Sequence, residues 1–336
     1  REYVRRHPDA IDVLKRLGRE GRFELMGSGE AIIDLNMCDG ETMVRNLASG
    51  VVYARDVLGQ RTDLACHSDG FGSSAQFPQV ARGCGLRGIN NLSYSRPDAP
   101  YWRGLDGSTV LTAFDGSGGA FFFYDHCYYE PCLACSGHGL FEGGVCGPCE
   151  GTGLRLLQGT YPERPWASSE VIDAEPSAAF VGSYLVCSEE MMPDARLPGM
   201  VRERNAQGAE QYHWRTQKAL MPLWEAALGR VDDDDVAVSS RVENYPVQSG
   251  CLVSRIRVKQ AARHAEGVYY AVEKLATLRA AENGETEISV SEALDEAWRG
   301  LPLLHFHDAV TGTHIDPAHE ELLDVARDVE ATAMKV

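Results

Sequence analysis

The chain has 336 residues, 44% of them hydrophobic and 24% charged, so it holds the apolar mass for a sizeable core in one large domain or two ordinary ones. Lys and Arg number 32 against 49 Asp and Glu, a net charge of −17, which excludes simple nucleic-acid binding because phosphate contact needs a basic face. The longest apolar runs, such as Ala120–Tyr124, fall far short of a membrane span, and no signal pattern opens the sequence. The first residue is Arg1 rather than Met, within text that already reads as helix, so a fragment of a longer chain is expected.

The chain alternates strand, turn and helix. Ile11, Val13, Leu14 and Leu17 recur at helical spacing and predict a helix over Arg5–Gly21. A short strand follows at Arg22–Met26, then the small-residue turn Gly27-Ser28-Gly29. Met43, Val44, Leu47, Val51, Val52 and Val57 predict a helix from Gly40 to Leu58. Asp63–His67 reads as a strand, Ala75–Cys84 as a helix, and Gly88–Leu92, Val110–Phe114, Ala120–Tyr124 and Ala178–Val186 as strands. From Leu252 onward the text is helical, with expected helices at Arg255–Leu278, Ser291–Trp298 and Pro317–Ala333. This order predicts an α/β domain over 1–244, with chemistry at the C-terminal ends of its strands, and a helical-bundle domain over 245–336. The run Asp232–Asp235 reads as a solvated loop, because four consecutive carboxylates repel and have no turn to converge them.

Residues 127–153 differ in kind and read as an insertion. C-x-x-C-x-G-x-G occurs twice, at Cys132–Gly139 and Cys146–Gly153. Each pair sets two thiolates on a tight turn, and four thiolates so spaced make a tetrahedral structural zinc site with no open position for catalysis. The segment resembles one zinc module of the DnaJ-type cysteine-rich domain, and Cys132, Cys135, Cys146 and Cys149 are its expected ligands. The scattered remaining cysteines read as reduced thiols, which with the absent signal gives a cytoplasmic expectation.

Several other stretches carry polar residues on turns. Asp69 stands at a strand end before Gly70-Phe71-Gly72, and His307-Asp308 precede Thr311-Gly312-Thr313. A histidine, a carboxylate and converging turns suggest a metal or acid/base site. These motifs, together with Gly27–Leu47, Ala75, Pro78, Gln79 and Trp102-x-Gly104-x-Asp106-Gly107-Ser108, resemble glycoside hydrolase family 38, the class II α-mannosidases, in the family's own order. Ser254-Arg255 and Lys259 resemble its S-R-x-x-x-K helix. The resemblance covers roughly 1–115 and 245–325 and is absent at the cysteine pairs.

The resemblance implies a (β/α)7-barrel-like catalytic domain without its first strand, followed by a partial three-helix bundle and carrying the four-cysteine zinc-ribbon insertion. It implies a metal-dependent retaining α-mannosidase acting on mannose-containing oligosaccharides or glycosides. Asp69 would be the nucleophile and a ligand of a catalytic zinc, and His307 a second ligand. Asp308 would bind the sugar or orient His307. Glu189 and Glu190, after the expected strand, are acid/base candidates. Trp102 is either a sugar-stacking face or a core side chain. The family's remaining zinc ligands lie in an upstream H-x-D motif; His7-Pro8-Asp9 has the letters but sits in or before a helix. His67, two residues before Asp69, is a local substitute ligand or a packed strand-end histidine. Glu41 and Arg45 read as an i,i+4 surface pair. The alternatives are a catalytically inactive remnant, a zinc-stapled carbohydrate- or protein-binding module, and a metal-dependent deacetylase-like hydrolase on a similar barrel. Nucleic acid and membrane are not expected partners, and homo-oligomer formation stays open.

Overall fold

The computed structural model describes residues 1–27, 29–67, 70–90, 101–112, 120–122, 129–131, 140–141, 144–145, 154–156, 183–185, 199, 202, 206, 216, 218–219, 221–222, 225, 238–239, 249–284 and 288–336. The chain divides into two units, Arg1–Asp115 with Arg215–Val336, and Gly116–Trp214.

The first unit opens with two short helices, α1 (Glu2–Arg6) and α2 (Ala10–Arg19), where the sequence reads as one. Pro8 is the reason: it drives the preceding His7 out of helical space, to φ −130° and ψ 68°. The expected strand over 22–26 shrinks to one parallel bridge between Gly27 and Ala65. The backbone of Leu25 turns instead to side chains, with its N–H donating to Gln60 Oε1 and its carbonyl accepting from Thr62 Oγ1.

Helix α3 (Gly40–Asp56) begins at Asp39, whose carboxylate accepts from the Thr42 N–H at 2.6 Å and caps an otherwise orphaned donor. Strand β1 (Leu64–Cys66), helix α4 (Phe77–Gly83) and strand β2 (Gly88–Asn90) follow, with β1 and β2 parallel, as a crossover helix requires. Strands β3 (Tyr101–Arg103) and β4 (Thr109–Leu111) form an antiparallel hairpin. Its turn is held by Asp106, which accepts from the Ser108 N–H at 2.9 Å and hydroxyl at 2.7 Å. Strand β3 is absent from the sequence reading because its residues stood out only as a motif.

In the second unit, β5 (Ala120–Phe122) lies parallel to β10 (Ser183–Leu185). Between them β6 (Tyr129–Pro131) pairs with β9 (Leu154–Leu156), and β7 (Leu140–Phe141) with β8 (Gly144–Val145), both antiparallel. Strand β11 (Val238–Ser239) returns to the first unit beside β3, giving a mixed five-stranded sheet of order β1-β2-β4-β3-β11.

A short 3-10 turn at Ser249–Val253 leads into α5 (Ile256–Asn283), α6 (Ile288–Leu304), α7 (His307–Thr311) and α8 (Asp316–Ala333). Helix α6 runs past the expected Trp298 and carries Pro302 in its last turns. Two cores result. Met43 and Leu47 of α3 and Phe77 and Ala81 of α4 pack on Ala65, Ile89, Trp102 and Val110 of the sheet. Ala262, Tyr269, Trp298, Leu301 and Val329 fill the space between α5, α6 and α8. Full burial of a side chain such as Leu301 contributes about 2–3 kcal/mol. Among the described residues no helix is long and apolar enough to cross a membrane.

Candidate functional site

His307 is the first residue of α7 and is 7% exposed. The chain before it runs antiparallel to residues 32–34. The Asp34 N–H donates to His305 O at 2.8 Å, Ile33 and Phe306 form an isolated bridge, and the His307 N–H donates to Ile32 O at 3.1 Å. The ring is fixed as well as the backbone. Nδ1 of His307 lies 3.0 Å from Ile32 O, and the Phe306 ring stands 4.2 Å away, centroid to centroid. A carbonyl can only accept, so Nδ1 carries a proton, and in the neutral ring the lone pair falls to Nε2. Histidines that bind metals are held in this way. The Asp308 carboxylate, half exposed, comes within 3.7 Å of Nε2 through Oδ2, while Oδ1 accepts from Thr313 Oγ1 at 2.7 Å.

The far end of α7 is equally constrained. Thr311 Oγ1 donates to His307 O, and Ser254 Oγ donates to Thr311 O at 2.7 Å. Gly312 ends the helix at φ +82°, and a Cβ there would meet Ser254 Oγ at 2.6 Å. A glycine is needed for both the left-handed backbone and the contact.

Three residues outside the sequence reading complete the surroundings. Asp34 is fully buried; its Oδ1 accepts from the Asn36 and Met37 N–H groups at 2.9 and 3.0 Å. Burial pushes its carboxyl above the usual range, against the pull of the Asn36, Met37 and Phe71 amides and of His305. Asp34 Oδ2 and both ring nitrogens of His305 make no hydrogen bond of good geometry among the described residues, so the approach of His305 Nε2 to Glu266 is a close charge contact. Glu266 of α5, 3% exposed, has Oε1 2.7 Å from His305 Nε2 and 3.0 Å from the donating Thr42 Oγ1, and Oε2 2.9 Å from Arg263. Burial would raise its carboxyl, but His305, Arg263 and Thr42 together hold it below the usual range. Nothing local marks Glu266 in the sequence, where it is one more charge on a long helix. Asp34 lies inside the Gly27–Leu47 motif, the one signal that points to it.

The structure thus brings together the segment around Asp34, the backbone of Phe71 and the His305–Thr313 stretch. Asp69, Glu189, Glu190 and the four paired cysteines Cys132, Cys135, Cys146 and Cys149 lie outside the described residues, as does the acidic run Asp232–Asp235. Trp102 corrects one of its two expectations. It is 2% exposed and packed in the sheet core, so it offers no open ring face to a sugar. His67 is buried with its ring 5.6 Å from that of Phe77. Arg45 does pair with Glu41, yet it also forks onto Glu273 of α5 at 2.5 and 2.8 Å, tying α3 to the bundle. Among the described residues no group of three or more His, Cys, Asp and Glu side chains is gathered as a metal cage.

Residues 1–118 match the family model of the glycosyl hydrolases family 38 N-terminal domain, and residues 247–336 that of the alpha mannosidase middle domain. Human alpha-mannosidase 2C1 is 24% identical over 340 residues, covering 98% of this chain but 29% of its own length. The mouse alpha-mannosidase 2C1 is 33% identical over 121 residues, 34% of this chain and 12% of its own. The crystal structure of an alpha-mannosidase from Enterococcus faecalis V583 superposes with a TM-score of 0.65 at 16% identity, over 99% of this chain and 36% of that one, which establishes a shared fold. The chain is therefore similar to the family 38 N-terminal domain over its first third and to the alpha mannosidase middle domain over its last quarter, is homologous to alpha-mannosidase 2C1, and spans less than a third of that relative's length.

Proposed function

We propose that this chain is part of a metal-dependent retaining glycosidase of α-mannosides. The observation that carries the reading is His307: a buried imidazole locked in one tautomer by Ile32 O, with Nε2 beside a half-exposed carboxylate. The match of both chain ends to family 38 and alpha mannosidase domains supports it.

His307 Nε2 and Asp69 would hold zinc. Bound there, the metal supplies Lewis-acid polarisation and a template for adjacent sugar hydroxyls. The Asp69 carboxylate attacks the anomeric carbon and forms a covalent glycosyl-enzyme as the glycosidic bond breaks. Glu189 or Glu190 protonates the departing oxygen, then takes a proton from the water that releases mannose. Asp308 accepts a sugar hydroxyl with the carboxylate that Thr313 orients.

The inserted segment is proposed as a structural zinc module with four cysteine ligands. The pairings of β6 with β9 and β7 with β8 support this, because the two C-x-x-C segments fall between β6 and β7 and between β8 and β9, the two linked positions of a nested hairpin.

The test is hydrolysis of a 4-nitrophenyl α-mannoside by the zinc-loaded chain, beside Asp69→Asn and His307→Ala. The expected result is turnover of the α but not the β anomer, falling at least about a hundredfold in either variant. Absence of turnover with zinc bound by thiolates alone would favour an inactive, zinc-stapled module.

A further inference from the structure

We infer that Glu266 is a positioning residue that, through His305, fixes the imidazole of His307 in one tautomer and one orientation. A lone buried carboxylate is costly, and a hydrophobic side chain of similar volume packs as well without that cost. Glu266 is retained in the interior with every oxygen engaged: Thr42 of α3, Arg263 of its own helix and His305 converge on it. Such a set gives direction rather than adhesion, because it specifies which residue of the 305–307 stretch faces α5.

Register matters here. In an extended pairing a slip by one residue turns each side chain to the other face. Phe306 makes the single bridge to Ile33, with His305 in the turn after α6 on one side of it and His307 opening α7 on the other. Holding the His305 ring at Glu266, while its carbonyl accepts from Asp34, leaves His307 the one position whose N–H and Nδ1 both reach Ile32 O. A second clamp grips the other end of α7. Lys259 Nζ donates to Ser254 O at 2.5 Å, and Ser254 Oγ donates to Thr311 O. Glu266, Lys259 and Ser254 all belong to α5 or its approach, so the middle-domain helix aims a side chain assigned to the catalytic domain's metal. That His307 serves a metal rests on the α-mannosidase reading; that Glu266 sets its orientation does not.

Long-range proton–nitrogen correlation spectra of the 15N-labelled chain read the tautomer of each imidazole, with His307→Gln assigning its signals, and hydrogen exchange reads the Asp34 and His307 amides. The native chain is expected to show His307 purely in the Nδ1–H form. Glu266→Ala should give a tautomer mixture and speed exchange of the two amides at least about tenfold, with the amides of α8 unchanged. Glu266→Gln keeps an oxygen acceptor and should restore the single tautomer and bring exchange within about threefold of native. An unaltered His307 signature in Glu266→Ala, or protection lost equally through α8, overturns the inference. Neither readout uses turnover, so a correctly clamped but inactive chain counts against the glycosidase reading and not against this one.

Discussion

Asn46 offers a sharp test of how the segment facing His307 is held. This side chain, 3% exposed on α3, accepts from the Glu30 and Ala31 N–H groups at 2.8 and 3.3 Å through Oδ1, and donates from Nδ2 to Ala31 O at 2.9 Å. It can come this close because Gly29, at φ +81°, has no Cβ to strike the Asn46 carbonyl. Asn46→Ala strands three backbone groups, and at about 1–2 kcal/mol each the cost is about 3–6 kcal/mol. Asn46→Asp is isosteric and keeps both accepting contacts, but sets an oxygen against Ala31 O, for about 2–4 kcal/mol at neutral pH. Protonation of the introduced carboxyl restores a donor to Ala31 O. Its folded pKa is therefore raised, and the variant regains stability relative to native as pH falls and loses it as pH rises. Urea unfolding followed by circular dichroism at several pH values measures both effects. A neutral-pH difference below about 0.5 kcal/mol for Asn46→Asp, with no recovery in acid, would refute the reasoning.

Cys38 is buried beneath Asp34, Glu266 and Asp39, and its thiol is pushed up to about 12, first by burial and then by those carboxylates, so iodoacetamide at pH 8 should leave it unmodified in the native chain and label it in urea, read by peptide mass mapping. Gly312→Ala forces a Cβ into left-handed backbone and against Ser254, and should cost about 2–4 kcal/mol in urea unfolding. Glu266 and Glu273 sit below the usual carboxylate range, burial being outweighed by His305 and by Arg45 respectively. Their stabilisation is complete above the unfolded value of about 4.3 and is lost as pH falls through it toward their folded values. The urea midpoint should therefore drop in mild acid, and drop less in Glu273→Gln.

What could be read from the sequence follows interaction range. Helix α3 was legible because its signal is local: Met43 and Leu47 recur one turn apart, and the expected span from Gly40 to Leu58 overruns its end at Asp56 by two residues. His307 and Asp308 were legible as a motif, and Gly312 as its turn. The split at Pro8 obeys a local rule that helical periodicity masked. Lys259 was legible only as part of the S-R-x-x-x-K resemblance, while Glu266 and the second partner of Arg45 were invisible, since each acts across long sequence separation or depends on burial that periodicity does not assign to one residue. Trp102 was ambiguous for the reverse reason: an aromatic side chain looks the same in a motif whether it faces solvent or core.

Metal stoichiometry tests the central claim most directly. In a chain whose Cys132, Cys135, Cys146 and Cys149 are all replaced by serine, zinc content is measured by atomic emission with and without His307→Ala. The account predicts about one zinc per chain with His307 present and a loss of at least about tenfold in affinity without it. Equal zinc in both proteins, or none in either, would contradict it.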